Sequence, residues 1–147
     1  DKQIVISGET EEIEKSINQF KIISTRIRCI KLNVSGAFHS PLMKFARDAL
    51  SNAINSLNFS DAKVPIYQNI SGTSFQDAEQ IKKNLILQLE HPVQWYKTIL
   101  NMKNINNNFI ECGPGNVLSS INRRISRDIN SFEANTTINI ESLCNIN

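Results

Sequence analysis

The sequence predicts an α/β fold with a parallel or mixed sheet that is covered by helices on both faces. From about residue 36 onward, strand-like segments alternate with segments of helical spacing, as they do in such folds. The preceding residues add a strand, a helix and a second strand, a β-α-β unit that is too small to close a core by itself. With 147 residues, 40% of them hydrophobic, the chain has the size and composition of one globular domain.

The β-α-β unit is predicted from three successive patterns. Residues 3–7 contain an apolar run that ends at Gly8, which is typical of a buried strand. Residues 9–21 place apolar side chains at helical spacing, with Thr10 as the expected N-cap. Residues 26–34 alternate between apolar and polar side chains, as a half-buried strand does. Because order is predicted almost from the first residue and no Met begins the chain, we expect a piece of a longer protein, with any targeting segment upstream.

A strong helix start follows the short link at residues 35–39. Ser40 is a favoured N-cap, Pro41 is a favoured first helical residue, and apolar side chains recur at helical spacing through residues 42–57. His39 is therefore predicted to lie immediately before a helix N-terminus.

The remaining elements are predicted from the same patterns. They are a strand at residues 64–70, helices at 78–89 and 93–102, a strand at 109–112, a last helix at 117–129 and an edge strand near 138–143. The segment Gly113-Pro114-Gly115 lacks the full glycine-rich patterns that bind phosphate. We therefore expect it to be a tight turn between the strand and the helix.

The balance of charges limits the classes of partner. The chain has 16 Lys and Arg residues and 14 Asp and Glu residues, a net charge of +2, and they are interspersed. The chain has no stripe of basic residues that would indicate nucleic acid as its main partner. No apolar run approaches the roughly 18 to 20 residues of a membrane-spanning helix. We expect neither a nucleic acid nor a membrane as a partner, whereas an acidic protein is compatible with this balance.

Few residues are candidates for chemistry. Cys29, Cys112 and Cys144 are widely spaced, form no C-x-x-C and have no His at zinc-ligand spacing, so we expect reduced thiols and no metal site. His39 lies at a strand-to-helix junction, where α/β folds place working side chains. The adjacent Ser40 is a poor nucleophile candidate, because an N-cap hydroxyl is committed to backbone donors. No G-x-S-x-G motif occurs in the chain.

Three motifs in the same order carry a family resemblance. They are residues 36–43 (GAFHSPLM), residues 88–95 (QLEHPVQW) and residues 111–118 (ECGPGNVL). Together they resemble the malonyl-CoA:acyl carrier protein transacylases, and the related acyltransferase domains of fatty-acid and polyketide synthases share the pattern. The resemblance extends from residue 3 to about residue 127 and covers the C-terminal half of the family's catalytic unit.

The resemblance implies a fold and a reaction. Residues 36–147 correspond to the C-terminal part of an α/β-hydrolase-like acyltransferase core, and residues 1–35 to part of a small ferredoxin-like subdomain. The family transfers a malonyl group from coenzyme A to the phosphopantetheine thiol of acyl carrier protein in two steps, through a serine, and needs no cofactor. The family's elbow serine, oxyanion-hole donors and carboxylate-binding arginine have no counterpart here. We therefore expect that they lie in a missing N-terminal half and that this chain alone is inactive.

The resemblance also implies roles for four residues. His39 matches the catalytic histidine, which takes and returns the proton, and Gln88 matches the position whose backbone carbonyl holds that histidine. Phe38 matches a substrate-binding position, where a bulky ring would exclude an α-methyl group, worth roughly 1 to 3 kcal/mol, and so favour malonyl. Arg28 matches a basic position near the surface where acyl carrier protein docks. No metal ligand is implied.

Two other functions and two compartments stay open. The chain is compatible with an acyltransferase domain excised from a multidomain synthase, and with a module that binds a carrier protein without catalysis. The 22 Ile and 19 Asn residues indicate AT-rich coding. Together with a stand-alone enzyme of type II fatty-acid synthesis, this composition favours a plastid-type organelle (apicoplast) of a parasite with an AT-rich genome. Bacterial cytoplasm is the alternative.

Overall fold

A computed structural model describes residues 3–144 of the chain. The helices are α1 (Thr10–Ile23), α2 (Lys44–Asn55), α3 (Ala78–Leu87), α4 (Trp95–Lys103), α5 (Val117–Ile125) and α6 (Thr137–Cys144). The strands are β1 (Ile66–Tyr67), β2 (Ser74–Phe75), β3 (Asn108–Cys112) and β4 (Asn130–Ala134). Contacts between residues divide the chain into two units, the first ending at Gln94 and the second beginning at Trp95.

The first unit contains helices α1 to α3 and a short hairpin. Strands β1 and β2 pair antiparallel, with Ile66 opposite Phe75. Helices α2 and α3 are in contact, and Ile54 on α2 is buried. The Lys82 ammonium lies 5.9 Å from the centre of the Phe59 ring, a cation–π contact between α3 and the segment after α2. The first unit therefore holds α3 against the helix that follows His39.

The second unit contains a parallel strand pair, of which only β3 was predicted; β4 lies where the sequence predicts a polar tail before an edge strand. Strand β3 pairs parallel with β4, and α5 lies between them in sequence and contacts both, which makes a β-α-β unit. Ile99 on α4 and Ile129 before β4 form its buried apolar core. The Lys103 ammonium lies 2.7 Å from the Asp128 carboxylate. Hydrogen bonds from Lys103 and then from Ser126 lower the pKa of Asp128 to about 2. This ion pair connects the end of α4 to the turn after α5.

Two strands predicted near the N-terminus are absent from the described chain. Residues 3–7 and 26–34 have no regular secondary structure, and their apolar side chains are exposed, Ile4 to 87% and Leu32 to 55%. A strand forms only where its N–H and C=O groups pair with a neighbouring strand. No such neighbour exists for these segments among residues 3–144. The two strand predictions are therefore wrong for the described residues, which lack the partners that the size of this unit already led us to expect elsewhere.

Three further differences concern helix ends. Residues 138–143 belong to α6, not to an edge strand, because Thr136 Oγ accepts the Asn139 N–H at 3.2 Å and starts a helix there. Thr10 is the first residue of α1, and the N-cap position is Glu9. Helix α5 ends at Ile125, so Ile129 is buried in the following turn instead of on the helix.

Candidate functional site

His39 lies in a backbone conformation that few side chains adopt. Its φ angle is 62°, in the left-handed region, and it is the only residue other than glycine with a positive φ in the described chain. Such a conformation costs about 1 to 3 kcal/mol and persists only where surrounding contacts hold it. The site therefore needs contacts that fix His39 in place, and two of them are apparent.

The first set of contacts fixes the residues on either side of His39 at the start of the next helix. Ser40 is buried, its hydroxyl donates to the Ala37 carbonyl at 2.7 Å, and its oxygen accepts the Leu42 N–H at 3.3 Å. Pro41 begins a short 3₁₀ turn (Pro41–Met43) that leads directly into α2. The predicted N-cap is confirmed. The Ser40 hydroxyl is committed to the backbone on both sides of His39, which leaves it poorly placed to act as a nucleophile.

The second contact joins His39 to the end of α3. His39 Nδ1 lies 2.9 Å from the backbone carbonyl oxygen of Gln88, 49 residues along the chain. A carbonyl oxygen only accepts hydrogen bonds, so Nδ1 must carry the proton. In the neutral imidazole the lone pair is then on Nε2, which is the nitrogen free to accept a proton from a reacting group. This geometry suits a general base.

His91 makes a similar contact at the same helix end. Its Nδ1 lies 2.8 Å from the Leu87 carbonyl oxygen, four residues earlier. Both imidazoles thus satisfy carbonyls at the C-terminal end of α3, where the helix leaves such groups without intrahelical partners. His91 is exposed and His39 is half-buried. The two histidines therefore differ in surroundings more than in hydrogen bonding, which makes His91 a useful internal comparison.

Two other candidate residues are placed differently. Phe38 directly precedes His39 and is 45% exposed, with its ring beside Gly36. A Cβ atom at Gly36 would lie 3.7 Å from two atoms of the ring, so the ring folds back over its own loop. Arg28 is exposed in the segment before His39, and its side chain makes no hydrogen bond or ion pair with residues 3–144. The structure thus joins His39 to Gln88 by a hydrogen bond. Phe38 adjoins His39 in the sequence, with its ring beside Gly36, and Arg28 has no hydrogen bond to His39 or Gln88.

Sequence reasoning missed several polar residues around α3. Arg47 on α2 forms an ion pair with Glu90 at 3.2 Å, two residues beyond Gln88. Asn84 on α3 is buried and donates to the Gln68 side chain at 2.9 Å. The only sequence signal for the second pair is an Asn in a helix interior, a position that this residue type disfavours unless it gains hydrogen bonds.

The Gly113-Pro114-Gly115 segment forms the tight turn that was predicted. Gly113 and Gly115 have φ angles of 144° and 85°, which suit glycine. Glu111 at the end of β3 reaches across the turn, where its carboxylate accepts the N–H groups of Leu118 at 3.1 Å and Ser119 at 2.7 Å. A carboxylate of the chain itself therefore occupies the N-terminus of α5, where a phosphate would otherwise be attracted.

Replacing Glu111 by Gln should change how stability depends on pH. The Ser119 N–H, opposed by partial desolvation and aided by the Leu118 N–H, lowers the pKa of Glu111 below its ordinary 4.5. A lowered folded-state pKa means that this contribution is complete above the ordinary value and is lost as pH falls through the lowered one. Glu111→Gln should therefore lower the unfolding midpoint at neutral pH and flatten its decline below about pH 4.5.

Urea unfolding between about pH 3 and pH 7 measures this effect. Glu141→Gln removes an exposed carboxylate of α6 and is the matched control. If the two variants had the same pH profile, the role of Glu111 as the cap of α5 would be wrong.

The described residues show neither a metal site nor a membrane-spanning helix. Residues 3–144 contain no group of three or more His, Cys, Asp or Glu side chains arranged to hold a metal ion. None of their helices has the length and apolar character needed to cross a membrane. Cys29, Cys112 and Cys144 are free thiols.

Known proteins resemble this chain in sequence. It is 39% identical over 129 residues to the malonyl CoA-acyl carrier protein transacylase of Staphylococcus aureus (strain COL), an alignment that covers 86% of this chain and 41% of that protein. It is 37% identical over 127 residues to the polyketide biosynthesis malonyl CoA-acyl carrier protein transacylase PksC of Bacillus subtilis (strain 168), covering 86% and 44%. The resemblance to the malonyl transacylases is confirmed. No protein-family model matches the chain.

Solved malonyl transacylases share the fold as well. The enzyme of Xanthomonas oryzae pv. oryzae matches with a TM-score of 0.84 at 26% identity, over 92% of this chain and 43% of that one. The enzyme of Streptococcus pneumoniae matches with a TM-score of 0.86 at 28% identity, over 92% and 44%. PlMCAT, a malonyl-transacylase solved with its type II polyketide acyl-carrier protein AntF, matches with 0.87 at 29%, over 95% and 45%.

These matches agree with the predicted fold class. The helices and the parallel pair β3–β4 are those of part of an α/β acyltransferase core. The chain spans less than half the length of the malonyl transacylases that it matches.

Proposed function

We propose that this chain carries the histidine of an acyltransferase that moves a malonyl group from coenzyme A to the phosphopantetheine thiol of acyl carrier protein in type II fatty-acid biosynthesis. The observation that carries the proposal is the contact between His39 Nδ1 and the Gln88 carbonyl, which leaves Nε2 free. It occurs between two of the three motifs shared with the malonyl transacylases. The names of the relatives supply the substrates, malonyl-CoA and acyl carrier protein.

The proposed reaction has two half-reactions that use the same nitrogen. In the first, His39 Nε2 takes the proton of a serine hydroxyl supplied from outside this chain. The serine oxygen bonds to the malonyl carbonyl carbon, the bond from that carbon to the sulfur of coenzyme A breaks, and the imidazolium returns the proton to the leaving thiolate. In the second, Nε2 takes the proton of the carrier-protein thiol, whose sulfur displaces the serine oxygen, and the proton returns to that oxygen. No cofactor is part of this scheme.

Gln88 is proposed to hold the imidazole through its backbone. The accepting atom is a main-chain carbonyl, which any residue at position 88 provides. A fixed Nδ1–H keeps the same tautomer through both half-reactions, as the carboxylate partner does in serine hydrolases that have one. The identity of the Gln88 side chain should therefore matter little to the chemistry.

Arg28 is proposed to contact acyl carrier protein. Acyl carrier proteins are acidic, and an exposed basic side chain attracts an acidic partner and speeds its association. Arg28 is exposed and has no ion pair with a described residue, whereas the nearby Lys31 is paired with Glu14 at 2.8 Å. Within this stretch, the Arg28 guanidinium is therefore the more available of the two charges.

The division of the chain and its compartment are also proposals. Residues 1–35 are assigned to a ferredoxin-like subdomain and residues 36–147 to the acyltransferase core, on the strength of the family resemblance. A plastid-type organelle is favoured by the Ile and Asn content. Bacterial cytoplasm is the alternative, since the relatives named above are bacterial.

The proposal is tested by following malonyl transfer in the complete protein that carries this chain. Incubation with malonyl-CoA and phosphopantetheinylated acyl carrier protein should yield malonyl-acyl carrier protein, detected by intact mass. A transient malonyl-enzyme should appear when the carrier protein is omitted. A protein that binds carrier protein but never acquires or transfers a malonyl group would be a binding module, and the proposed activity would be wrong.

The 147-residue chain serves as the control in the same assay. Exposed to malonyl-CoA alone, it should gain no covalent adduct, because its Ser40 hydroxyl is committed to the Ala37 carbonyl. An adduct on Ser40 would show that the nucleophile lies within this chain and would overturn the two-part scheme.

A further inference from the structure

Two buried amide side chains are hydrogen-bonded to each other near the end of α3, just before Gln88, whose carbonyl holds His39. Gln68, just after β1, is 7% exposed, and Asn84, in the last turn of α3, is 5% exposed. Asn84 Nδ2 donates to Gln68 Oε1 at 2.9 Å, and we call these two residues the amide pair. Burying two amides is costly unless their hydrogen bonds are made. A buried Asn on a helix therefore needs hydrogen-bond partners outside the helical backbone.

The other polar atoms of the amide pair are also used. Gln68 Nε2 donates to the Ile81 carbonyl at 3.0 Å, and Asn84 Oδ1 accepts from Gln80 Nε2 at 2.9 Å. The segment after β1 is thus fixed to α3 at two positions, Ile81 and Asn84. A buried polar network whose members are all hydrogen-bonded restricts a structure to one arrangement more than apolar packing does.

This network ends one helical turn before the anchor of His39. The Gln88 N–H donates to the Asn84 carbonyl at 3.0 Å, so the residue whose side chain is fixed also holds the backbone of Gln88. Downstream of Gln88, the Gln94 N–H donates to the Asn69 carbonyl at 2.7 Å. The Gln88 carbonyl therefore lies between two attachments to the same short segment, residues 68 and 69.

We propose that the amide pair positions His39 for catalysis, by fixing the end of α3 and with it the Gln88 carbonyl that accepts the Nδ1 proton. The strained φ angle of His39 makes this support necessary, since a displaced carbonyl would release the imidazole and let the loop relax. Gln68 and Asn84 are positioning residues and touch no reacting atom. The catalytic consequence rests on the proposed function, whereas the effect on the imidazole does not.

The test compares two buried asparagines. Asn84→Ala removes one half of the amide pair. Asn122→Ala is the matched control, because Asn122 is also a buried helical Asn, with 4% exposure, and accepts a hydrogen bond from Trp95 in the second unit. Both variants should lose stability. Gln68→Met, which keeps the length of the side chain and removes both of its hydrogen bonds, is a second variant in case Asn84→Ala does not fold.

Two measurements on the complete protein separate positioning from stability. Nitrogen-15 NMR of the imidazole, assigned with His39→Ala, should show the proton on Nδ1 in the parent protein and in Asn122→Ala. It should show loss of that fixed tautomer in Asn84→Ala and Gln68→Met. In the same two variants kcat for malonyl transfer should fall about 10-fold, with KM changed by less than about twofold.

The outcomes distinguish this inference from the proposed function. If the His39 imidazole is unchanged in both amide-pair variants, the inference is wrong. It is also wrong if Asn122→Ala changes the imidazole to the same extent, because the effect is then one of general stability. If the tautomer is lost while malonyl transfer continues at the parent rate, the amide pair does position His39, and it is the catalytic role of His39 that fails.

Discussion

Replacing His39 by Ala in the complete protein is expected to slow malonyl transfer by about 10³-fold, the range in which a positioned general base acts. The physical reason is the orientation of the ring. The Gln88 carbonyl holds the proton on Nδ1, so in the neutral ring Nε2 is already able to accept a proton. Both half-reactions lose this group, and single-turnover formation of the malonyl-enzyme and its discharge to the carrier protein should slow together.

Two controls make this result interpretable. Gln88→Ala keeps the backbone carbonyl and should leave the rate within about threefold of the parent. His91→Ala removes an imidazole from the same end of α3, where it bonds to the Leu87 carbonyl, and should affect stability without affecting the rate. A His39→Ala protein that forms malonyl-enzyme at the normal rate would show that another group is the base.

Local signals in the sequence predict the helices well. The helices expected at residues 78–89 and 93–102 are observed as Ala78–Leu87 and Trp95–Lys103. The N-cap at Ser40 and the glycine turn before α5 also agree with the structure. Caps, helical spacing and turn residues act within a few positions of one another, so the sequence around each of them contains the information needed.

Pairing between distant segments is not predicted in this way. Residues 3–7 and 26–34 have the composition of strands, but a strand also needs a partner whose position the local pattern does not specify. The parallel pair β3–β4 was missed for a related reason: α5 connects the two strands, but residues 130–134 have no clear strand pattern, so the sequence predicted only β3.

In the candidate site, too, local patterns did not predict the contacts between residues that are distant in the sequence. His39 and Gln88 are 49 residues apart, and only the family resemblance, not their spacing, suggested that they meet. The amide pair of Gln68 and Asn84 was not predicted, because both residues are of types usually found on the surface. The packing of the first unit decides which face of α3 is buried. The sequence pattern of one helix does not show which polar residue on that face has a hydrogen-bond partner.

Replacing Phe38 by Ser is expected to relax the choice of acyl group. Phe38 directly precedes His39, the proposed general base, in the sequence. In the structure the ring folds back over Gly36, at van der Waals distance from where a Cβ atom of that residue would lie. If the ring occupies the space that an α-methyl group needs, removing it should raise the kcat/KM for methylmalonyl-CoA relative to malonyl-CoA by about 10-fold to 100-fold.

The test measures both substrates with the complete protein, with Phe45→Ser as the matched control. Phe45 is also a phenylalanine near His39 in the sequence, but it lies on α2 and is 77% exposed. Its replacement should leave the ratio of the two kcat/KM values unchanged. If both variants shift the ratio equally, or neither does, Phe38 is an ordinary packing residue. A change confined to Phe38→Ser would instead mean that discrimination by one methyl group is set in the loop that carries His39, because a general loss of packing would change the ratio in Phe45→Ser as well.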